Sequence, residues 1–211
     1  TLVNGGELIL VPQASVMDGQ ALIEAIAKYS INLLQATPAS WRLLLESGWE
    51  GRLDLVGLCG GEALPRDLAR NLVPRIKELW NVYGPTEATV WATAEKIIDT
   101  EAVITIGKPL PGYETYILDG NRRPLPRGTI GDLYLGGPAL ARGYRFRPDL
   151  TRERFFPHPV TQGERIYDTG DLVREQVDGK IEYISRRDNQ VKLRGFRIEL
   201  GEIESCMVTH P

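Results

Sequence analysis

Between Asp18 and Val82, short apolar runs alternate with helical patterns, and the helical patterns carry their own start and stop signals. Asp18 is placed to cap a helix with Leu22, Ile26 and Tyr29 on one face, and residues 32–35 then read as a short strand. Thr37 followed by Pro38 is an N-cap with proline at the first helical position, opening a helix through Trp41, Leu44 and Leu45. Residues 53–59 form the next strand pattern and residues 65–72 the next helix, Pro74 forces a break, and residues 79–82 read as a strand. Upstream, the apolar run at residues 7–11 also reads as a buried strand. Successive parallel strands need a crossover between them, so this alternation restricts the region to an α/β arrangement, a parallel doubly wound sheet.

From about Ala92 the helical period disappears, and short alternating strands are separated by turn signals such as Asp119-Gly120 and Asp178-Gly179. That region is expected to be β-rich and antiparallel. Residues 186–197 are dense in charge and precede a helical pattern running from Leu200 through Ile203 to Val208, which reads as the start of a small C-terminal subdomain. The expected division is 1–110, 111–187 and 188–211. No start signal precedes the first strand and the sequence stops within the last helix, so both ends read as cuts through a larger fold.

Composition narrows the function classes. With 211 residues, 42% hydrophobic and 25% charged, the chain can bury a sizeable core, which excludes disordered and fibrous classes. A net charge of -3 argues against a general nucleic-acid binder. No apolar run approaches the roughly 20 residues needed to span a bilayer, and a cytoplasmic location is expected. Cys59 and Cys206 are far apart and lack partners at ligand spacing, which argues against a disulfide framework or structural zinc; they read as buried free thiols. His158 and His210 have no carboxylate or nucleophile at a telling position in the sequence.

The chemistry concentrates in four stretches. Asn81-Val82-Tyr83-Gly84-Pro85-Thr86-Glu87-Ala88-Thr89 sets a Gly-Pro turn at the end of a predicted parallel strand, where open α/β sheets bind ligands. Tyr83 offers a ring for stacking, Thr86 a hydroxyl for a phosphate oxygen, and Glu87 a hard oxygen suited to magnesium. A turn followed by a helix cap accounts for the same residues equally well. The second stretch runs from Gly131-Asp132-Leu133-Tyr134-Leu135-Gly136-Gly137 to Ala141-Arg142-Gly143-Tyr144 and Arg147-Pro148. The third is Tyr167-Asp168-Thr169-Gly170-Asp171-Leu172, and the fourth runs from Arg187-Asp188-Asn189-Gln190-Val191-Lys192-Leu193-Arg194-Gly195-Phe196-Arg197 to Glu204.

Together, in this order, these stretches resemble the adenylation domains of nonribosomal peptide synthetases, within the acyl-adenylate-forming superfamily that includes acyl-CoA ligases. The resemblance covers essentially the whole chain. It implies ATP, Mg2+ and an amino or related carboxylic acid as reactants, and the phosphopantetheine of a peptidyl carrier domain as thiol acceptor. It implies that Asp171 accepts the ribose hydroxyls, that Tyr83 stacks on adenine, and that Asn81 with Gly60, Gly61 and Glu62 meets the adenine edge beside Gly84. Thr86 would touch the α-phosphate, Glu87 would hold magnesium, and Tyr183 and Arg186 would lie on the ribose side. Asp188 falls at the hinge of the C-terminal subdomain, and Lys192, Arg194 and Arg197 lie in the loop lining the approach of the phosphopantetheine arm.

The acyl pocket positions implied are Gln35, Leu58, Gly60, Val82, Val90 and Trp91, a set that resembles glycine-activating domains because Trp91 would fill the cavity. A medium or aryl acid, or an α-keto acid if the aspartate that pairs with the substrate amine is missing, is the alternative. Two positions depart from the pattern: Asp168 stands where a basic residue is usual, and Ser185 where glycine is frequent. The phosphate-binding loop and the lysine of the C-terminal subdomain are expected on remaining segments of the same domain, beyond Thr1 and Pro211. An acyl-CoA ligase and a non-catalytic binding or structural piece are the competing readings.

Overall fold

The computed structural model describes residues 2–158, 161, 163–188, 190–193, 196–198 and 206–207. A short α1 (Gln13–Val16) leads into α2 (Gly19–Lys28), whose first turn is closed by Asp18 accepting from the amides of Gln20 at 2.9 Å and Ala21 at 3.1 Å. β1 (Leu33–Ala36) and α3 (Pro38–Glu46) follow, and the Thr37 hydroxyl accepts from Ser40 N at 3.3 Å. Next come β2 (Arg52–Gly60), α4 (Arg66–Leu72), a 3-10 turn at Val73–Arg75 where Pro74 was expected to interrupt the helix, and β3 (Ile76–Tyr83). β1, β2 and β3 pair in parallel, with Gln35 beside Leu58 and Gly60 beside Val82.

The change of character at Ala92 falls where the sequence placed it. β4 (Thr93–Ile97) and β5 (Lys108–Pro109) complete the first sheet antiparallel, in the order β1-β2-β3-β4-β5. Residues 84–92 are too few for a crossover helix, so the chain must turn back on itself. The second sheet is antiparallel, ordered β10-β9-β7-β6, from β6 (Glu114–Leu118), β7 (Ile130–Gly136), β9 (Arg165–Glu175) and β10 (Ile181–Arg186). α5 (Pro148–Arg154) leads into β8 (Phe155–Pro157), which pairs with β9. β11 (Val191–Leu193) and β12 (Phe196–Ile198) form a separate antiparallel pair.

The first core is apolar and built around Trp41, fully buried between the helices and β2. Its indole N–H donates to Leu58 O at 3.3 Å, and a Cβ at Gly57 would lie 3.0 Å from its ring, so glycine makes room for it. A second core of Tyr83, Ala88, Ala92, Ile106, Leu133, Leu135, Val173 and Ile181 draws from both sheets. Two main-chain bonds reinforce that junction, Ile106 N to Ile181 O at 2.7 Å and Ile181 N to Gly107 O at 2.9 Å.

Three expectations are corrected. Residues 7–11 form no strand, and Leu8 and Leu10 are exposed, because no neighbouring strand among the described residues supplies a ladder for that apolar run. Tyr29 lies past the last residue of α2 and is exposed rather than on its buried face. Cys59 is buried as expected, its thiol pushed up to about 12 by burial and then by the charge of Glu62, but Cys206 is exposed. The helical pattern at Leu200, Ile203 and Val208 lies outside the described residues.

Candidate functional site

The first and third sequence stretches meet at Asp171, together with Arg186 just ahead of the fourth. The residue lies in β9 directly across from Arg186 in β10, and it is 2% exposed. Tyr83, the last residue of β3, donates its hydroxyl to Asp171 Oδ2 at 2.5 Å, and Arg186 Nη1 donates to Oδ1 at 3.0 Å. The main-chain N–H of Asp171 donates to Thr169 Oγ1 at 3.1 Å, and that hydroxyl donates in turn to Leu133 O at 2.8 Å. Burial, and next the charge of Asp171, push the Tyr83 phenol well above its ordinary value, which keeps it a proton donor. The guanidinium of Arg186 also makes a fork onto Asp188, Nε to Oδ1 at 2.6 Å and Nη2 to Oδ2 at 2.7 Å. Those bonds hold the Asp188 carboxyl below the usual range. One cation therefore ties the buried carboxylate of β9 to Asp188, two residues beyond the end of β10.

Gly170, between Thr169 and Asp171, has φ +74°, and a Cβ there would lie 2.8 Å from Arg186 Nη2 and 3.1 Å from Asp188 Oδ2. Glycine is required on both counts.

The loop after Tyr83 is clamped from the second stretch. A 3-10 turn spans Thr86–Ala88, where a helix start was one reading of the sequence. Glu87 is 6% exposed; its Oε1 accepts from the Tyr144 hydroxyl at 2.5 Å, and its carbonyl from Ala141 N at 2.8 Å. Tyr113 donates to Ala88 O at 2.7 Å and Thr89 Oγ1 donates to Ala139 O at 2.7 Å. These bonds hold Thr89 and Val90 at φ +51° and +72°, a region that β-branched residues occupy only under constraint from their surroundings. Thr86 itself is exposed at the rim. Gly84 is hemmed in by main chain, its would-be Cβ 2.8 Å from Ala92 N.

The positions named for the acyl pocket converge at the C-terminal ends of β1, β2 and β3. Trp91 Nε1 donates to Gln35 Oε1 at 3.2 Å, and a Cβ at Gly60 would lie 2.7 Å from the Trp91 ring and 2.5 Å from Val82 O. Val90 is 56% exposed, and the Trp91–Gln35 bond itself lies at the surface. Gly61 has φ +89°, making the tight exit from β2, and Glu62 follows half-buried. Asn81 is buried and donates its amide to Thr105 O at 2.7 Å. Tyr183 is half-buried against the second core, with its phenol raised by burial.

Some site calls are not brought to this point. Lys192 lies in β11 opposite Arg197 in β12, with neither side chain among the described positions, and Asn189, Arg194, Gly195 and His210 lie outside the described residues. His158 gains partners in space that sequence spacing did not show. Its Nε2 is 2.7 Å from the Tyr116 hydroxyl, which donates to Glu114 Oε2 at 2.5 Å, and its Nδ1 accepts from Thr161 N at 2.7 Å. Glu114, on β6, and Glu164, in the same connection as His158, both reach within 4.8 Å of the ring's ligand atoms. Because Nδ1 accepts a main-chain N–H, the neutral ring carries its proton on Nε2 and faces Tyr116 as a donor. His158, Tyr116 and Glu114 thus form a hydrogen-bonded chain. Tyr113 and Arg154, whose Nη2 lies 3.9 Å from Asp188 Oδ2, were not singled out by sequence reasoning, and Arg187 entered only as the first residue of the fourth stretch.

Residues 1–145 match the AMP-binding enzyme family. The chain belongs to that family, whose model it matches over more than half its length. It is 43% identical over 212 residues to a dimodular nonribosomal peptide synthase of Bacillus subtilis (strain 168), covering all of this chain and 9% of that protein. It is 44% identical over 214 residues to the chondramide synthase cmdD of Chondromyces crocatus, covering 98% of this chain and 5% of that protein. Among solved structures, a four-domain holo nonribosomal peptide synthetase bound to AMP and glycine matches with a TM-score of 0.83 and 46% identity, over 98% of this chain and 16% of that one. A protein containing adenylation and carrier domains matches with a TM-score of 0.84 and 29% identity, over 96% of this chain and 42% of that one. The resemblance to nonribosomal peptide synthetase adenylation domains is thereby borne out, and with it the α/β fold class. The chain spans less than a tenth of the curated relatives named here. Among the described residues no helix is long and apolar enough to cross a membrane.

Proposed function

We propose that this chain supplies the nucleoside- and acyl-binding face of an adenylation site that activates a small amino acid with ATP and passes it to a carrier-domain phosphopantetheine thiol. The observation that carries this reading is the convergence of Tyr83 and Arg186, distant from each other in sequence, on the buried carboxylate of Asp171. Held by Tyr83 and Arg186, the Asp171 carboxylate is an acceptor-only group of the kind suited to a ribose diol. Asn81, Gly60, Gly61, Glu62 and Gly84 form the adenine-side wall, and Tyr183 and Arg186 flank the ribose. Thr86 at the exposed rim reaches toward the α-phosphate.

Glu87 is a hard carboxylate held by Tyr144 at the same loop, which fits Mg2+, and Mg2+ bound there would neutralise phosphate charge. In the reaction a carboxylate oxygen of the acid attacks the α-phosphorus, the bond to the bridging oxygen breaks, and pyrophosphate leaves. The carrier thiol then displaces AMP from the acyl carbon. The chain's own residues act by positioning the nucleoside and excluding water. Asp188 serves as the hinge between the 111–187 portion and the 188–211 portion, which carries Lys192 toward the thiol's approach. The 1–110 portion holds the acyl pocket.

Glycine is the favoured acid. Trp91, held by Gln35 and packed on Gly60, occupies the space that a substrate side chain would need. The solved relative bound to AMP and glycine supports the same choice.

The test is acid-dependent exchange of pyrophosphate into ATP by the full-length protein, with glycine set against larger amino, aryl and keto acids. Asp171→Ala is expected to raise the ATP requirement by about 100-fold, in line with losing a charged hydrogen-bonding partner. An unchanged ATP dependence would remove Asp171 from the nucleotide site, and exchange only with a large acid would remove glycine.

A further inference from the structure

Arg187 lies next to Arg186 but engages a different pair of acids. Its Nη1 donates to Asp132 Oδ1 at 2.7 Å and its Nη2 to Asp168 Oδ2 at 2.6 Å. Asp132 is 7% exposed on β7 and Asp168 is 5% exposed on β9, with Tyr134, the residue across from Asp168, beside them. Two carboxylates buried this close repel one another and lose hydration, and both penalties fall when one planar guanidinium bridges them. The guanidinium edge is the more exposed partner, which lets it stay partly hydrated while the acids are covered.

The consequence for Asp171 runs through Gly170. Asp168 Oδ1 accepts from Gly170 N at 3.0 Å, and Arg187 N donates to Gly170 O at 2.9 Å. Both polar groups of the residue preceding Asp171 are therefore held, one by the acid that Arg187 neutralises and the other by the main chain of Arg187. The adjacent arginines grip the Thr169-Gly170 bend from its two sides, Arg186 through Asp171 and Arg187 through Asp168 and Asp132.

We infer that Arg187 is a positioning residue for the nucleoside carboxylate: by neutralising Asp132 and Asp168 and pinning Gly170, it sets the orientation in which Asp171 meets its ligand. The inference rests on the reading of Asp171 as the ribose acceptor. Arg187 touches no reacting atom in this scheme, so its loss weakens nucleotide binding more than it slows the chemical step.

The experiment is steady-state pyrophosphate exchange by the full-length protein, varying ATP and acid separately. Arg187→Gln is expected to raise KM for ATP about tenfold, with kcat and KM for the acid within about twofold. The triple variant Asp132→Asn, Asp168→Asn, Arg187→Gln removes the charges that need a cation while keeping an acceptor for Gly170 N, and it is expected to restore KM for ATP to within about threefold of the parent. A role only in folding would lower kcat through loss of active protein and leave KM alone, which would overturn the inference. So would failure of the triple variant to restore KM. If Arg187→Gln yields too little folded protein, Arg187→Lys keeps the charge but loses the fork and is expected to raise KM for ATP about threefold; no change would count against the proposal. Asp171→Ala, run in parallel, separates the two readings. A raised KM in that variant with none in Arg187→Gln sinks the positioning role alone, whereas no change in Asp171→Ala sinks the nucleotide site itself.

Discussion

The two sheets are stabilised in opposite ways. The parallel strands β1 to β3 and their helices enclose Trp41, Leu44, Leu55, Leu68, Leu72 and Leu79, an almost wholly apolar interior, and their ion pairs, such as Arg70 with Glu101, sit in solvent. The antiparallel sheet buries Asp132, Asp168 and Asp171 and satisfies them with Arg186 and Arg187 at the end of β10. Packing is non-directional and tolerates many sequences, whereas a buried carboxylate needs a cation at hydrogen-bond distance and in the right plane. The lesson is that the first region supplies a rigid platform, and the second concentrates buried charges whose partners are fixed in distance and direction.

The sharpest way to break the contrast is to remove the centre of the apolar side. Trp41→Ala is expected to cost about 3–5 kcal/mol in a urea unfolding curve, with no added dependence on salt. Arg186→Met addresses the charged side. Leaving Asp171 buried without its cation is expected to cost about 3 kcal/mol, and Arg186→Met/Asp171→Asn is expected to recover part of that loss, as removal of both charges should. Equal sensitivity of the two sheets to paired charge deletion would erase the distinction drawn here.

Acid titration sharpens it further. The Asp188 carboxyl is depressed by its hydrogen bonds to Arg186, so its contribution is fully present above the ordinary aspartate value of about 4 and is lost as pH falls through the depressed folded value. The stability difference between the parent and Asp188→Asn should accordingly be flat from about pH 5 to 8 and shrink at lower pH. A difference that instead grows on acidification would contradict the Arg186 fork. The smallest effect is expected from Arg70→Ala, whose exposed pair with Glu101 should leave the unfolding midpoint unchanged within error.

Much of this was legible in the residues because it is local. The Asp18 and Thr37 caps, Pro38 at the first helical position and the break at Pro74 each act within one helical turn, and the structure has all four. The run at residues 7–11 misled because an apolar pattern specifies a strand only when a neighbour is there to pair with it. Arg187 and the His158 chain were not legible for a related reason: Asp132 and Asp168 reach Arg187, and Tyr116 reaches His158, from strands separated from them in sequence.

By itself the sequence determined the alternation of elements, the change to antiparallel strands near Ala92, and the four stretches where chemistry collects, since propensity, capping and turn chemistry are set by neighbouring residues. Only the tertiary structure decided which acid receives which arginine, that Tyr83 donates to Asp171, and that Trp91 fills the space left by Gly60. Those are matters of distance and direction between separate strands, fixed by sheet register and by the requirement that every buried charge find a partner.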